Sequence, residues 1–394
     1  MGTHPHRYRT TTLAGLSLLA LLAGCDGSAG EQLHLGETIR IGLNLETSGD
    51  LAWYGGAVLK GAQLAIDATN ASGGIGGRQV AAMVVDNMSQ TGRSVALGTQ
   101  LMTQRKALAV LGPATEDLFT VTVPIADRQE IVSVSPLACG RRVLALTDQA
   151  PHPYAFRSCL GYPQQGRTMA DFAATNLSAR SALVLRGAEG PFADFADAFV
   201  TQFTADGGQI VADDAVGSGE TDLSRYIALL QQTPADVVYV ATAPAEAAHL
   251  ISQIRAAGLT HPVLGIESFN DPLLREIAGA GALTGVYFTI DFSSADSQNP
   301  RVPEFIDAYR NAWNGEEPSS QAALGYDAAL LILDAVRRAD SPTGVNVQRA
   351  LAETQNLDGV TGRMSIGPNH EVIKDGLVVE LVEGAPASVT HVAP

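Results

Sequence analysis

The stretch Ile39-Arg-Ile-Gly-Leu-Asn-Leu45 is a near-continuous apolar run of strand length. A helical period follows it, with Val58, Ala62, Ala65, Ile66 and Thr69 on one face. Ser72-Gly-Gly-Ile-Gly-Gly77 then supplies the glycines that a helix end and tight turn require. A strand buried on both faces followed by an amphipathic helix is the unit of a parallel α/β sheet. The unit repeats outward from there. Strands are expected over residues 80–86, 107–112 and 131–135, then over 181–186, 209–216, 236–241 and 262–266, with helices between them. Two such series predict two similar lobes. The last third reads differently. A strand over 286–291 precedes helices near 301–314 and 319–339, the second with Leu324, Ala328, Leu331 and Ala335 inward, and strands over 360–366 and 377–382 follow. The chain therefore crosses between lobes more than once.

Before residue 38 the chain has no fold signal. Arg7 and Arg9 precede a short apolar run, Leu13 to Ala23, and Leu22-Ala-Gly-Cys25 ends it. A run this short is a secretory leader rather than a membrane span, which needs about 20 apolar residues. The terminal Leu-Ala-Gly-Cys resembles a bacterial lipobox, which implies lipid on Cys25. Asp26 resembles the signal that keeps such lipoproteins in the inner membrane of a Gram-negative cell. Residues 25–37 then read as a tether, and the protein is placed in the periplasm or at the cell surface, held by lipid alone.

The formal net charge is −16, and only 6% of residues are aromatic. An acidic surface speaks against nucleic acid and anionic lipid as partners, since both need a basic footprint. With Cys25 lipidated, Cys139 and Cys159 remain as a disulfide pair in an oxidising compartment, or as two buried thiols. The eight histidines are scattered and no CxxC occurs, so neither metal nor cofactor is expected. Enzyme signatures are missing too. His370-Glu371 lacks the second histidine of HExxH, no GxSxG or Gly-Lys-Ser/Thr loop occurs, and Gly279-Ala-Gly281 with Gly285 misses the dinucleotide spacing. No enzyme is expected; a hydrolase is the remote alternative.

Several stretches in order resemble the type I periplasmic binding proteins for leucine, isoleucine and valine. They are Thr47-Ser-Gly-Asp-Leu-Ala-Trp-Tyr-Gly55, Gly61-Ala-Gln-Leu-Ala-Ile-Asp67, Asn70-Ala-Ser-Gly-Gly-Ile-Gly-Gly-Arg78, Val110-Leu-Gly112 and Val134-Ser-Pro136. Phe156-Arg157 with Gln165-Gly166, Gln253-Ile-Arg-Ala-Ala-Gly-Leu259 and Tyr326-Asp-Ala328 complete the set. The resemblance implies two Rossmann-like lobes with parallel sheets, joined by three crossovers. Lobe 1 is expected from 38–157 plus 291–362, and lobe 2 from 158–290 plus 363–394. It implies a monomer that holds a small polar ligand, an amino acid or similar, in the cleft, and an ABC permease as partner. A sensory receptor of the same fold is the alternative reading.

The resemblance also implies cleft positions. Tyr54 matches an aromatic one, with Trp53 beside it. Thr115 and Glu116 open the helix after the strand at 107–112, where amino-acid binders hold the ligand carboxylate with a hydroxyl and N–H groups. Glu116 stands at the family's serine. Three arrangements fit: Thr115 caps the helix while the acids complement its dipole, or the register slips by one and Thr115 supplies the hydroxyl, or Glu116 faces the cleft and favours an amine, amide or polyol. Ser135 and Leu137 lie in the next strand-end loop, where Cys139 replaces a threonine. Phe192 matches a stacking tyrosine, Glu267 a glutamate that pairs with the ligand ammonium, and Tyr326 a cleft position or a core tyrosine.

Overall fold

β1 (Ile39–Leu45) is buried at every residue but Arg40. It runs parallel between two neighbours, and this burial on both faces explains the apolar run in its sequence. The structure is a computed structural model that describes residues 38–147 and 149–394. The leader, Cys25 and the tether lie outside the described residues.

The chain continues through α1 (Ala52–Ala71), β2 (Val80–Asp86), α2 (Thr91–Thr103), β3 (Ala109–Leu111), α3 (Glu116–Gln129) and β4 (Ser133–Ser135). A small hairpin, β5 (Ala145–Thr147) and β6 (Ala150–Pro151), precedes β7 (Ala155–Arg157). The first sheet has the order β2-β1-β3-β4-β7, all pairs parallel.

The second series is α4 (Tyr162–Thr175), β8 (Ser181–Gly187), α5 (Phe192–Ala205), β9 (Gln209–Val216), α6 (Ser224–Gln232) and β10 (Val237–Ala241). After it come α7 (Pro244–Ala256), β11 (Val263–Gly265), α8 (Pro272–Ala278) and β12 (Val286–Ile290). Next come α9 (Arg301–Ala312), α10 (Ser320–Arg338) and α11 (Gly344–Ala352), then a small sheet of β13 (Leu357–Gly359), β14 (Gly362–Ile366) and β15 (Val372–Ile373). A final hairpin, β16 (Gly376–Val382) and β17 (Ala385–Val392), joins the second sheet antiparallel to β12. That sheet has the order β17-β16-β12-β11-β10-β8-β9.

α10 belongs with the first sheet. Its Ala328, Leu331, Ile332 and Ala335 share a core with Val58, Ala62 and Ile66 of α1. The two helices approach to backbone contact, because a Cβ on Gly61 would run into the Ala322 carbonyl and one on Gly325 into the Val58 backbone. Met364, Ile366 and Val372 also pack in this core. The return to the second lobe therefore falls at Lys374 and Asp375 rather than at 363, since β14 and β15 need this apolar surface to cover them.

The chain crosses between lobes three times, near Ser158, near Asp291 and near Lys374, and one buried cation ties the crossings together. Lys374 Nζ lies 2.9 Å from Asp291 Oδ1, with both side chains almost wholly buried. It also donates to the Ser158 carbonyl at 3.2 Å and to the Thr361 hydroxyl. Asp291 accepts from the Leu160 amide at 3.0 Å. Asp327 of α10 accepts from the Val360 and Thr361 amides at 2.8 and 2.7 Å and from the Thr361 hydroxyl at 2.6 Å. These groups satisfy one another, which is the condition for burying charge.

Candidate functional site

In an open parallel sheet the carboxyl ends of the strands are where a ligand is met. At the end of β1 stands Glu46, fully buried. Its two oxygens accept from the Ala114 amide, the Thr115 amide (both 3.1 Å) and the Thr115 hydroxyl (2.9 Å). Thr115 sits at the N-cap of α3, but its side chain makes no cap bond. The hydroxyl expected to cap the helix or to serve a ligand carboxylate thus donates to the chain's own carboxylate. Asp86, at the end of β2, similarly takes the Thr47, Ser48 and Met88 amides and the Ser48 hydroxyl. These bonds hold its carboxyl below its ordinary range, against a raising effect of burial.

Glu116 points to the strand-end loop of β4, where its Oε2 accepts from the Gly140 amide at 3.1 Å. Burial raises its carboxyl above the ordinary value, and Asp117 and Asp194 add to this against the Gly140 bond and Arg157. This contact ties Glu116 to the backbone of its own lobe. Ser135 is fully buried, and its hydroxyl serves its own turn, set between the Pro113 and Ala114 carbonyls and the Ala138 amide. Leu137 donates its amide to Ala114 at 3.2 Å, and its side chain packs on the disulfide. Both are thus held by groups of the chain itself.

The expected pair of Cys139 and Cys159 forms the disulfide. It joins this loop to the first crossover, next to Gly140. Replacing both cysteines by serine should lower stability by about 3 kcal/mol. Reduced protein should melt with that variant, and an unchanged melting temperature in reductant would contradict the effect.

From the second lobe comes Glu267, two residues after β11. Its Oε2 accepts from Gln165 Nε2 at 2.7 Å. Gln165 is itself held, accepting from the Thr289 hydroxyl at 2.9 Å and donating to the Leu160 carbonyl. Gln165 is thus a positioning residue for Glu267. Burial, with the Asp291 charge behind it, pushes the Glu267 carboxyl up to about 7, against the Gln165 bond.

Tyr162, at the first crossover, is a residue the sequence did not single out. Tyr162 is the first residue of α4 and stacks on Phe195 at 4.4 Å. Burial raises its phenol, and the charges of Glu267 and Glu116 and the nearby Tyr54 raise it further against Arg157. Tyr54 and Trp53 stand edge to face at 5.0 Å, 40% and 63% exposed. Arg141 Nε bridges the lobes to Asp194 of α5 at 3.1 Å.

Phe192 lines a cavity of about 270 Å³ at the carboxyl ends of β8 to β10, with Gly187, Gly190, Thr242 and Glu246. A larger cavity, about 380 Å³, lies against Arg301 and Arg338 and shares no lining residue with the cleft. Tyr326 packs edge-on against Phe305 at 5.3 Å inside an apolar cluster, as a core tyrosine does. Glu46 and Tyr162 are the residues sequence reasoning missed. The signal that marks Glu267, an acid after a buried strand, marks Glu46 equally.

Among the described residues no helix is long and apolar enough to cross a membrane, and no group of histidines, cysteines and acids could hold a metal ion. The chain is 28% identical over 359 residues to the Leu/Ile/Val-binding protein homolog 3 of Brucella melitensis, covering 87% of this chain and 93% of that one. The substrate-binding protein LivJ of Streptococcus pneumoniae, solved with isoleucine, superposes with a TM-score of 0.72 at 31% identity, covering 91% of this chain and all of that one. A putative branched-chain amino acid ABC transporter protein of Rhodospirillum rubrum gives 0.81 at 26% identity, covering 89% and 99%. Members of this group bind solutes and are not enzymes. The model of the periplasmic binding protein family matches residues 38–386, and the chain belongs to that family.

Proposed function

We propose that this protein is an extracytoplasmic lipoprotein that captures a small polar solute, an amino acid or a close chemical relative, between its lobes. It delivers that solute to the membrane permease of an ABC importer, working as a monomer held by lipid on Cys25. The observation that carries this reading is that Glu116 and Glu267 stand at the carboxyl ends of parallel strands in two different lobes, with the Arg141–Asp194 ion pair spanning the lobes at 3.1 Å. Groups so divided meet a common ligand only when the lobes close, which is how hinge closure buries a solute. Tyr54, Glu116, Tyr162 and Glu267 are the proposed contacts, with Trp53 and Phe192 as walls. The named relatives, binders of branched-chain amino acids, support the solute class.

A thermal-shift screen of amino acids, amides, amines and aromatic acids tests it. A solute at 100 times its dissociation constant adds about 2.7 kcal/mol of stability. No shift from any solute, with mass spectrometry showing an empty cleft, would reject capture.

A further inference from the structure

The segment 292–299, which follows the second crossover, is fastened to both lobes. On the first-lobe side Phe292 is buried against Phe305 of α9, edge to face at 5.8 Å. Asn299 Nδ2 donates to the Gly359 and Val360 carbonyls at 3.1 and 2.9 Å. On the second-lobe side the partner is the edge strand β17. His391 Nε2 lies 3.0 Å from both carboxylate oxygens of Asp296, and Gln298 Nε2 donates to the Val389 carbonyl at 3.5 Å. The other ring nitrogen of His391, Nδ1, is 3.6 Å from Asp375 at the third crossover.

The Asp296 side chain is only 2% exposed, and among the described residues His391 is its ion-pair partner. A carboxylate buried to that degree needs such a partner. Asp296 also accepts from the Gln298 amide at 2.9 Å, so the same acid folds the segment and fixes it to β17. The two sets of anchors meet along the chain: Gln298 is held by the second lobe and Asn299, its neighbour, by the first. A rotation of one lobe on the other pulls these neighbours apart. The second-lobe set is the one that yields. Its His391 ring is 20% exposed and its Gln298 bond is long, whereas Phe292 sits in the α9 core and Asn299 leads straight into α9. We propose that His391 and Asp296 form a latch that holds the ligand-free lobes at one angle and releases when the lobes turn. The latch is a property of the hinge, beyond solute capture, and its test uses no solute.

Spin labels on unnatural residues in place of Gln104, ahead of β3, and Gln231, ahead of β10, report the interlobe distance and leave the cysteines untouched; both positions are exposed. Double electron–electron resonance on the ligand-free full chain should give one narrow distance distribution. His391→Ala and Asp296→Ala should each raise the population at other distances about tenfold, the effect of losing one charge-assisted contact. The double variant should do no more than either single one, because both remove the same latch. His391→Gln keeps an N–H donor for Asp296 and should keep the narrow distribution. Circular dichroism melts confirm that each variant is folded.

Single variants as narrowly distributed as the parent would overturn the proposal. So would an effect of His391→Ala that Asp296→Ala does not share, since that reports fraying of β17 alone. A double variant whose effects multiply toward about a hundredfold makes the two residues independent and sinks the latch as well. A parent already spread over several distances has no latch to lose, and the proposal then falls whatever the variants do.

Discussion

Lys374→Met should destabilise the protein by about 3–5 kcal/mol, the cost of leaving a buried charge without its partner. Asp291 would keep its place at the second crossover, almost fully buried, with only the Leu160 amide against it. The Ser158 carbonyl would lose its donor as well. Methionine fills much of the lysine stem, so the loss reports the charge rather than a cavity. The companion variant Lys374→Met with Asp291→Asn removes both charges and keeps an acceptor for Leu160, and it should recover a large part of the loss. Denaturant unfolding followed by fluorescence and circular dichroism gives the values, with coincident transitions as the check on two-state behaviour. A single variant costing under about 1 kcal/mol, with additive effects in the pair, would mean the crossovers are pinned elsewhere.

None of that network shows in the sequence. Ser158, Asp291 and Lys374 are far apart along the chain, and each is an ordinary residue beside a strand end. Only the three crossings bring them together. The strands themselves were legible where they are long. β1, β8, β9 and β16 declare themselves by apolar runs or by their place in the cycle, and α1 and α10 by a 3.6-residue period. β7 and the edge strand β17 were not anticipated. A buried strand of three residues is too short for any period to register, and β17 is exposed over half its length.

The cleft divides the same way. Glu267 could be read because an acid after a buried strand needs a reason. Ser135 could not be placed, because a small polar residue serves a turn or a ligand equally well until its neighbours are known. Tyr162 looks like any aromatic at a helix start. What marks it is its burial and its stacking on Phe195 of α5, which only the fold brings about.

Glu267 supplies the second large effect, and its sign follows from its surroundings. Burial and Asp291 raise its carboxyl from 4.5 to about 7 against a single opposing donor, Gln165. A raised value favours the protonated form in the folded protein. The stability it contributes is whole below about pH 4.5 and is lost as pH rises through about 7. The ligand-free protein should lose on the order of 3 kcal/mol across that window through this group. Glu267→Gln should lose none of it, so melts of the two proteins from pH 4 to 8.5 should diverge, with the variant the more stable above neutrality.

A ligand ammonium reverses the balance, because it needs the carboxylate. Its affinity should rise toward tenfold per pH unit below about 7 and level off above, with a proton released on binding that calorimetry in buffers of different ionisation enthalpy detects. In Glu267→Gln the pH dependence should vanish with most of the affinity. Melts that run parallel from pH 4 to 8.5 would place the Glu267 charge in water rather than in the closed cleft, and would take with it the reason for expecting this residue to hold the ligand.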